Sequence, residues 1–291
     1  MAHALKLTAS QFRKRFQTEA DCKNYLYTVR WPKGFVCPKC GCREFSFYKC
    51  RNGIFQCKKC RHQTSLTAGT VMHRTHLPML TWFWAIYLVA TDKRGISAVQ
   101  LSRQLEITYE SAWYLLKRIR KAMAARDKDY ILSGIVEMDT FYFGGKDKNG
   151  AHGGSAGKDA VMIAVSKRTG KKTGPLYLRI VAYDTIDNKT VGDFVNRYIQ
   201  KGSTVQTDAA ASFRKPLAAD YNHEYEKYTR KESPLPGLHL AISLCKRVLR
   251  GTYQGNCRHD IQQFLDEFCF RYNRRFEPQE MFSRLLRAVV A

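Results

Sequence analysis

Apolar positions recur with helical spacing in the early part of the chain. Thr18-Glu-Ala-Asp21 has the form of a capping box and predicts a short helix that continues through Tyr27. Pro78 begins a second predicted helix, whose bulky residues we interpret as a core stripe rather than as a base-stacking platform. These bulky residues are Trp82, Phe83, Trp84, Tyr87 and Leu88.

Two further helices are predicted between residues 95 and 121. Ser97 can cap the first and Thr108 can cap the second, and the turn between them is short. This pattern is typical of a helix-turn-helix, whose second helix enters the major groove of DNA. The predicted base contacts are Tyr109, Glu110 and Ser111, and the predicted phosphate contacts are Lys117, Arg118, Arg120 and Lys121. The alternative is a pair of packed helices with a solvated basic face.

From Gly134 onward the pattern changes to strands. Ile135–Phe143 is rich in β-formers, and a period of two places Glu137 and Asp139 on one face of that strand. Further strands are predicted at 161–166, 176–183 and 204–208, with a helix at 190–198. A later helix carries an apolar stripe of Ile261, Phe264, Leu265, Phe268 and Tyr272. This order of elements predicts a mixed α/β domain.

Four of the ten cysteines form two pairs with metal-ligand spacing. Cys37-Pro-Lys-Cys40 and Cys57-Lys-Lys-Cys60 are separated by 16 residues, which suits a four-thiolate zinc ribbon better than redox or disulfide use. Four thiolates leave no position for water, so we expect structural zinc. The other cysteines lack regular spacing and are interpreted as ordinary thiols in a reducing cytoplasm: Cys22, Cys42, Cys50, Cys245, Cys257 and Cys269.

The charge of the chain favours a polyanionic partner. The 291 residues carry 49 Lys and Arg against 25 Asp and Glu, a formal charge of +24. The excess is spread out, with +11 in residues 1–66, +5 in 67–133 and +8 in 134–291. Basic folded domains attract nucleic acid, because each neutralised phosphate releases counterions. No apolar run approaches the roughly 20 residues of a membrane span, and no secretory signal is evident, so a membrane or exported protein is not expected.

Two aspartates stand toward the ends of predicted strands. Asp139 lies near the end of the first strand, and Asp208 closes the strand at 204–208. Carboxylates placed in this way can converge at the edge of a sheet and hold a divalent cation. The simpler interpretations are an edge-strand carboxylate for Asp139 and a helix N-cap for Asp208.

The order of these motifs resembles that of the zinc-ribbon insertion-sequence transposases. The ribbon and the helix pair precede Glu137-Met-Asp139, Gly144-Gly145 and Thr207-Asp208. Similar segments follow at 239–247, 251–253 and 266–275, so the resemblance covers residues 17–275. It implies an RNase H-like domain that cuts and joins DNA strands at an Asp-Asp-Glu type site with magnesium or manganese. In that site Asp139 would bridge two metal ions and Asp208 would hold one of them.

The third metal ligand departs from the family pattern. Relatives carry an acidic residue, or sometimes Asn or His, on a helix with a basic residue after it. Lys246 fits the basic residue, and His239, seven positions earlier on the same helix face, is the third-site candidate. Leu244 occupies a position where some relatives carry Asn. Neither residue offers a carboxylate, and Glu137 is a substitute candidate.

The metal preference of His239 and the roles of the basic residues in this part of the chain are also open to more than one interpretation. A neutral imidazole suits manganese or iron better than magnesium, and the alternative role of His239 is to cap the helix. Lys246 and Arg247 are expected to contact the DNA backbone near the cut, or else to lie on a solvated face. The basic residues Arg271, Arg274 and Arg275 border the last apolar stripe and are compatible with phosphate binding.

The sequence therefore predicts three parts: a helix with a zinc ribbon in 1–66, a helix-turn-helix region in 67–133, and an RNase H-like catalytic domain in 134–291. Together they predict a transposase that binds terminal inverted repeats and transfers strands into double-stranded target DNA. The family implies a homo-oligomer in the synaptic complex, in the bacterial cytoplasm at the nucleoid. The alternatives are a catalytically inactive DNA-binding descendant and an RNase H-like nuclease that needs no repeat sequence.

Overall fold

The computed structural model describes residues 7–47, 53–144, 158–168, 175–226, 235–253 and 260–291. Its helices are α1 (Ala9–Arg15), α2 (Glu19–Arg30), α3 (Met79–Thr91), α4 (Ala98–Leu105), α5 (Tyr109–Asp127), α6 (Asn188–Tyr198), α7 (Ala211–Leu217), α8 (Pro236–Gly251), α9 (Ile261–Asn273) and α10 (Met281–Val290). Its strands are β1 (Phe45–Phe47), β2 (Ile54–Cys57), β3 (Gln63–Ser65), β4 (Ile135–Phe143), β5 (Asp159–Lys167), β6 (Pro175–Tyr183), β7 (Thr204–Asp208) and β8 (Asn222–Glu226).

The chain forms two compact units. The first lies within Met1–Arg126 and Glu277–Ala291, and the second lies within Asp127–Phe276. The sequence grouped 277–291 with the catalytic part, whereas in the structure α10 packs against α2 and α3 in the first unit. Within the described ranges, no helix is long and apolar enough to cross a lipid bilayer.

A capping box begins α2 in the first unit. The Thr18 hydroxyl accepts a hydrogen bond from the Asp21 N–H at 3.2 Å, and the Asp21 carboxylate accepts one from the Thr18 N–H at 2.9 Å. These two bonds satisfy amides that have no partner inside the helix. The capping box is confirmed, and α2 continues beyond Tyr27 to Arg30.

The zinc ribbon follows as a three-stranded antiparallel sheet in the order β1-β2-β3. Its small core is aromatic: the rings of Phe55 and Phe35 stack with centroids 5.6 Å apart, and Tyr27 of α2 stacks on Phe55 at 5.6 Å. The Arg30 guanidinium donates to the carbonyl oxygens of Ser65, Leu66 and Ala68. The ribbon is therefore joined to α2 by both packing and hydrogen bonds.

The aromatic residues of α3 form a core, as predicted. Trp82, Phe83 and Tyr87 are buried, and the ring of Phe12 in α1 lies 4.4 Å from that of Tyr87 and 5.5 Å from that of Phe282 in α10. Buried aromatic pairs of this kind gain free energy from apolar area and from favourable ring geometry. Their packing rules out a base-stacking platform on this face of α3.

Two capped helices joined by a short turn complete the first unit. The Ser97 hydroxyl accepts from the Gln100 N–H at 3.1 Å, and the Thr108 hydroxyl accepts from the Ser111 N–H at 3.3 Å. Glu106 ends α4 in the left-handed conformation, with φ 53°. Both predicted caps are confirmed, and only residues 106–108 separate α4 from α5.

The second unit is built on a mixed five-stranded sheet in the order β6-β5-β4-β7-β8. The pairs β4–β5 and β5–β6 are antiparallel, and β4–β7 and β7–β8 are parallel. This is the predicted α/β, RNase H-like architecture. The strand β8 was not predicted.

Each face of the sheet is covered by helices. On one face Val136 and Met138 of β4 pack with Phe194 of α6. On the other, Phe141 and Phe143 pack with α8 and α9, including the predicted stripe on α9. The alternation of side chains along β4 therefore sends odd-numbered residues toward α8. Of the predicted Gly144-Gly145 pair, Gly145 lies outside the described residues, as do Cys50 and Cys257.

The side chains of α9 hydrogen-bond the outer edge of β6. Gln262 accepts from the Ala182 N–H at 2.8 Å and donates to the Ile180 carbonyl at 3.2 Å. Asn273 accepts from the Leu178 N–H at 2.8 Å and donates to the Leu178 carbonyl at 3.1 Å. Backbone groups at a strand edge need partners, and here two side-chain amides supply them.

Candidate functional site

Four cysteines of the ribbon form a compact cluster. The Sγ atoms of Cys37, Cys40, Cys57 and Cys60 all lie within 4.8 Å of one another. Each pair stands in a tight turn: the Gly41 N–H donates to the Cys37 carbonyl at 2.9 Å, and the Arg61 N–H donates to the Cys57 carbonyl at 3.0 Å. Gly41 and Arg61 both have positive φ, of 71° and 56°. The arrangement offers four sulfur ligands to one metal ion.

The backbone around Cys57 favours a thiolate. The backbone N–H of Cys60 is the main cause, and it lowers the pKa of the Cys57 thiol from 9.0 to about 6. A thiolate is the form that binds metal. Of the remaining cysteines in the described ranges, Cys22, Cys245 and Cys269 are buried and Cys42 is partly exposed. None of these four belongs to the cluster.

Asp139 lies on the central strand of the second unit. The edge-strand interpretation was therefore wrong, because β4 pairs with a strand on each side. The Oδ1 atom of Asp139 accepts a hydrogen bond from the Thr140 N–H at 2.6 Å. Burial raises the pKa of the Asp139 carboxyl, the Thr140 hydrogen bond opposes this, and the negative charge of Asp208 raises the pKa further. Burial, with the neighbouring carboxylate, therefore disfavours the charged form of Asp139.

Asp208 stands at the equivalent position of the neighbouring strand. Glu137 pairs with Gln206 in the parallel register of β4 and β7, so Asp139 and Asp208 both lie two residues further along. Side chains two residues apart on a strand share a face. The N-cap interpretation of Asp208 was wrong: the N-cap of α7 is Ala210, whose N–H donates to Asp208 Oδ1 at 3.2 Å.

His239 and Lys246 extend from α8 toward β4. His239 Nε2 lies 3.6 Å from Asp139 Oδ2, and Lys246 Nζ lies 5.0 Å from the ring centroid of Phe141. The His239 N–H donates to the Leu235 carbonyl at 3.0 Å, so His239 lies inside the first turn and the helix-cap alternative was wrong. Burial lowers the pKa of the Lys246 ammonium, and Arg250 lowers it further.

Two other candidates on this face have different roles. Leu244 packs against the apolar core. Glu137 is fully buried, with Lys167 Nζ 2.8 Å from its Oε1 and the Leu238 N–H donating to its Oε2 at 2.7 Å. Because each oxygen of Glu137 already has a partner, the interpretation of Glu137 as a substitute metal ligand was wrong. Arg247 is exposed.

The carboxylates and His239 are more widely spread than the cysteines. Across the part of the chain that the structure describes, the cysteine cluster is the one group of three or more His, Cys, Asp or Glu residues with ligand atoms all within 4.8 Å. Asp139, Asp208 and His239 thus share one region without forming a closed cage.

The predicted DNA-contacting residues of α5 fall into two groups. Exposed are Tyr109, Glu110, Lys117 and Lys121, while Ser111 and Arg118 are partly exposed. Arg118 donates to the carbonyl oxygens of Val71 at 2.6 Å and His73 at 2.7 Å, which fixes the connector before α3. Arg120 is 5% exposed, so its predicted phosphate contact is corrected.

An exposed tryptophan on α5 is absent from the DNA contacts predicted from the sequence. Trp113 is 45% exposed, and Lys117 Nζ lies 5.1 Å from the centroid of its ring. Tyr109, Trp113 and Lys117 follow one another at intervals of four and therefore share one helix face. That spacing was the available signal, and the predicted DNA contacts included Tyr109 and Lys117 but not Trp113.

The basic residues at the C-terminal end of α9 and just after it bind within their own unit. Arg274 forms an ion pair with Asp127 at 2.6 Å, and Arg271 forms one with Glu267 at 2.8 Å. Arg275 donates to the Leu176 carbonyl at 2.9 Å. These contacts correct the interpretation of the three arginines as phosphate ligands.

Comparisons with known proteins define the family. Residues 131–273 match the ISXO2-like transposase domain, and residues 17–63 match the transposase zinc-ribbon domain. The chain belongs to the zinc-ribbon insertion-sequence transposases. It is therefore a transposase with an N-terminal zinc ribbon.

Solved structures similar to this chain include two of the Mos1 transposase. A pre-cleavage Mos1 transpososome has 15% identity and a TM-score of 0.26, with 69% of this chain and 76% of that chain covered. A Mos1 paired-end complex with the left transposon end has 13% identity and a TM-score of 0.26, with 67% and 76% covered. No curated protein matches the chain.

Proposed function

We propose that this transposase cuts and joins DNA at a divalent-metal site made by Asp139, Asp208 and His239. The observation that supports it most is the shared register of the two aspartates on β4 and β7, with His239 3.6 Å from Asp139. The residues fit a cation, because burial and, to a lesser extent, the negative charge of Asp208 raise the pKa of Asp139, and a bound positive charge would stabilise both carboxylates. Magnesium and manganese both take carboxylate oxygens, and the imidazole favours manganese.

Each residue has a distinct role in this proposal. A bound divalent ion would activate a water or a 3′-hydroxyl and stabilise the leaving oxygen of a phosphodiester. Asp139 and Asp208 provide anionic oxygens from a rigid sheet, and His239 provides a nitrogen from α8. Lys246, close to Phe141 on the same face, binds a phosphate oxygen of the DNA strand. Exposed Arg247 contacts the neighbouring backbone.

The ribbon and α5 are proposed to bind DNA at the terminal inverted repeats. Zinc held by the four thiolates is structural, because the donors fill a tetrahedral coordination shell. Tyr109, Glu110 and Trp113 of α5 face the base edges, and Lys117 and Lys121 contact phosphates. Two copies of the chain would hold two element ends together during strand transfer.

The test is a metal-dependent cleavage assay on repeat-end DNA with the wild type and Asp139→Asn. The expected result is that Asp139→Asn loses cleavage at least about 1000-fold while DNA affinity stays within about threefold, because binding lies largely in the other unit. Asp220→Asn, which removes a carboxylate from an exposed ion pair with Lys201, is the control. Cleavage retained by Asp139→Asn contradicts the proposal.

One observation favours a second candidate, an inactive DNA-binding descendant. Neither His239 nor Leu244 offers the third carboxylate that the family pattern calls for. In that case the wild type binds repeat ends but cuts them with neither magnesium nor manganese. Equal affinity for repeat ends and random duplex at fixed salt would instead favour a nuclease without repeat specificity.

A further inference from the structure

A buried carboxylate outside the proposed ligand set holds the first turn of α8. Glu137 has no exposed surface, and each of its oxygens has a partner: the Leu238 N–H at 2.7 Å and Lys167 Nζ at 2.8 Å. Burying a charge is unfavourable unless it is paired and hydrogen-bonded. These two contacts therefore offset the cost of burying a carboxylate beneath this helix.

The start of α8 needs this acceptor. Its N-cap is Leu235, which provides no side-chain hydrogen bond, and Pro236 at the first position has no N–H. The first amides of a helix lack internal partners and carry partial positive charge, so an anion there is stabilising. Glu137 supplies that anion from another element. Gly237 allows the close approach, since a Cβ at this position would lie 3.1 Å from Glu137 Oε2.

The same contact determines where His239 stands. Leu238 and His239 are consecutive in α8, while Glu137 and Asp139 are alternate residues of β4. Leu238 bonds to Glu137 at 2.7 Å, and His239 lies 3.6 Å from Asp139. Two neighbouring contacts of this kind fix both the height and the rotation of the turn over the strand.

Lys167 links the arrangement to the strand of the second aspartate. Its Nζ donates to Gln206 Oε1 at 2.9 Å, in addition to its contact with Glu137. Gln206 lies on β7, two residues before Asp208. One polar network, partly exposed at Lys167, therefore joins β4, β7 and α8, the three elements that carry Asp139, Asp208 and His239.

We propose that Glu137 and Lys167 are positioning residues, which set the separation of Asp139, Asp208 and His239 without binding the metal themselves. The expected effect of these residues on cleavage rests on the proposed function. Their effect on the structure of α8 does not rest on it, because the hydrogen bonds can be probed in the protein without added divalent metal.

The first experiment measures hydrogen exchange of the Leu238 amide by NMR in the full chain without added divalent metal. Glu137→Gln keeps an acceptor oxygen and is expected to keep exchange within about threefold of wild type. Glu137→Leu removes the acceptor and should accelerate exchange at Leu238 at least about tenfold, while the amides of α9 change little. Asp220→Asn is the matched control and should change neither set. Unchanged exchange at Leu238 in Glu137→Leu overturns the proposal.

Gly237→Ala tests the same contact if Glu137→Leu does not fold. Alanine favours helix formation, yet its Cβ would displace Glu137 Oε2. The expected result is faster exchange at Leu238, with the amides at the C-terminal end of α8 unaffected. Unaltered exchange at Leu238 contradicts the proposal.

The second experiment measures strand cleavage against metal concentration. A positioning role predicts that Glu137→Gln keeps the half-saturating metal concentration, and that Gly237→Ala lowers kcat about tenfold at saturating metal. A metal-ligand role for Glu137 predicts that Glu137→Gln raises the half-saturating concentration at least about tenfold, and this result overturns the proposal. Cleavage by Asp139→Asn would remove the proposed function alone, because the Leu238 exchange result stands without it.

Discussion

His239 Nε2 lies 3.6 Å from Asp139 Oδ2, across the interface between α8 and β4. In the proposed metal site, this imidazole takes the position where an acidic residue would complete an Asp-Asp-Glu set. The negative charge available to a cation is reduced by one unit, which weakens the preference for a hard ion such as magnesium. Metal choice is therefore the property of this site that depends most directly on residue 239.

Replacing the imidazole with a carboxylate should change the metal that supports cleavage. His239→Glu is expected to raise the magnesium-supported rate about tenfold at limiting metal, because the third ligand becomes an anionic oxygen. His239→Gln, which is neutral and of similar size, is the control and should give no gain. The measurement is cleavage rate against magnesium and manganese concentration. An unchanged or lower rate for His239→Glu would remove His239 from the metal site.

The cysteine cluster should account for all of the bound zinc. Cys57→Ser is expected to release zinc and to unfold the ribbon, because metal binding to the four thiolates supplies a large part of the folding free energy of so small a module. Cys42→Ser changes a thiol close in sequence that lies outside the cluster, and it should keep one zinc ion per chain. Elemental analysis and circular dichroism measure the two effects. Full zinc content in Cys57→Ser would contradict the four-thiolate assignment.

Trp113 should contribute to DNA recognition through its exposed face. Trp113→Ala is expected to weaken binding to repeat-end DNA about tenfold, because the substitution removes an apolar contact and a cation–π partner of Lys117. Ile131→Ala removes another exposed apolar side chain, at 57% exposure and outside α5, and should leave binding unchanged. Fluorescence anisotropy at fixed salt compares the variants. Equal affinities for all three proteins would move the reading surface away from this face.

Arg274 should stabilise the fold rather than bind DNA. Asp127→Ala leaves the guanidinium of Arg274 buried without its carboxylate partner. We expect a loss of about 3–5 kcal/mol in the free energy of unfolding. Lys201→Ala breaks an exposed ion pair and should leave that free energy nearly unchanged. Urea denaturation provides the measurement. A stable Arg274→Ala variant with weakened DNA binding would support the phosphate-contact interpretation.

The cap of α6 should make part of the thermal stability depend on pH. The Thr190 N–H donates to Asp187 at 2.8 Å and is the main cause that lowers the pKa of the Asp187 carboxyl. A lowered native pKa means that the stabilisation is present above the unfolded pKa and is lost as pH falls through the native pKa. Asp187→Ala should therefore lower Tm at pH 7 and have a smaller effect in acid. A Tm difference that is constant with pH would contradict this role.

Much of the fold follows from local patterns in the sequence. The capping residues Thr18, Ser97 and Thr108 are identifiable because a cap needs only its own side chain and the next few amides. The strand β4 is identifiable from its alternation and β-branched residues. The pairing of β4 with β7, which places Asp139 and Asp208 on adjacent strands, is visible only in the structure, because two other strands intervene along the chain. The cysteine pairs are identifiable because metal ligands require fixed spacing.

The remaining features depend on tertiary contacts that spacing does not encode. The strand β8 is a polar segment at the end of the sheet, and it lacks the apolar alternation of a buried strand. Arg118 and Arg275 are bound to carbonyl oxygens of distant segments, so their charge gave a misleading indication of DNA contact. The pairing of Glu137 with Lys167 joins residues 30 positions apart. No feature of the sequence near Glu137 distinguishes this carboxylate from one that binds metal.

The side-chain amides along β6 also bear on how this protein behaves when many copies gather at one place. Gln262 and Asn273 occupy donors and acceptors that an incoming strand would otherwise use. A further strand can add to β6 only after these amides are displaced. Crowding of transposase molecules on a short stretch of DNA is thus less prone to produce open-ended β-stacking through β6, and leucine at both positions would be expected to promote fibre formation.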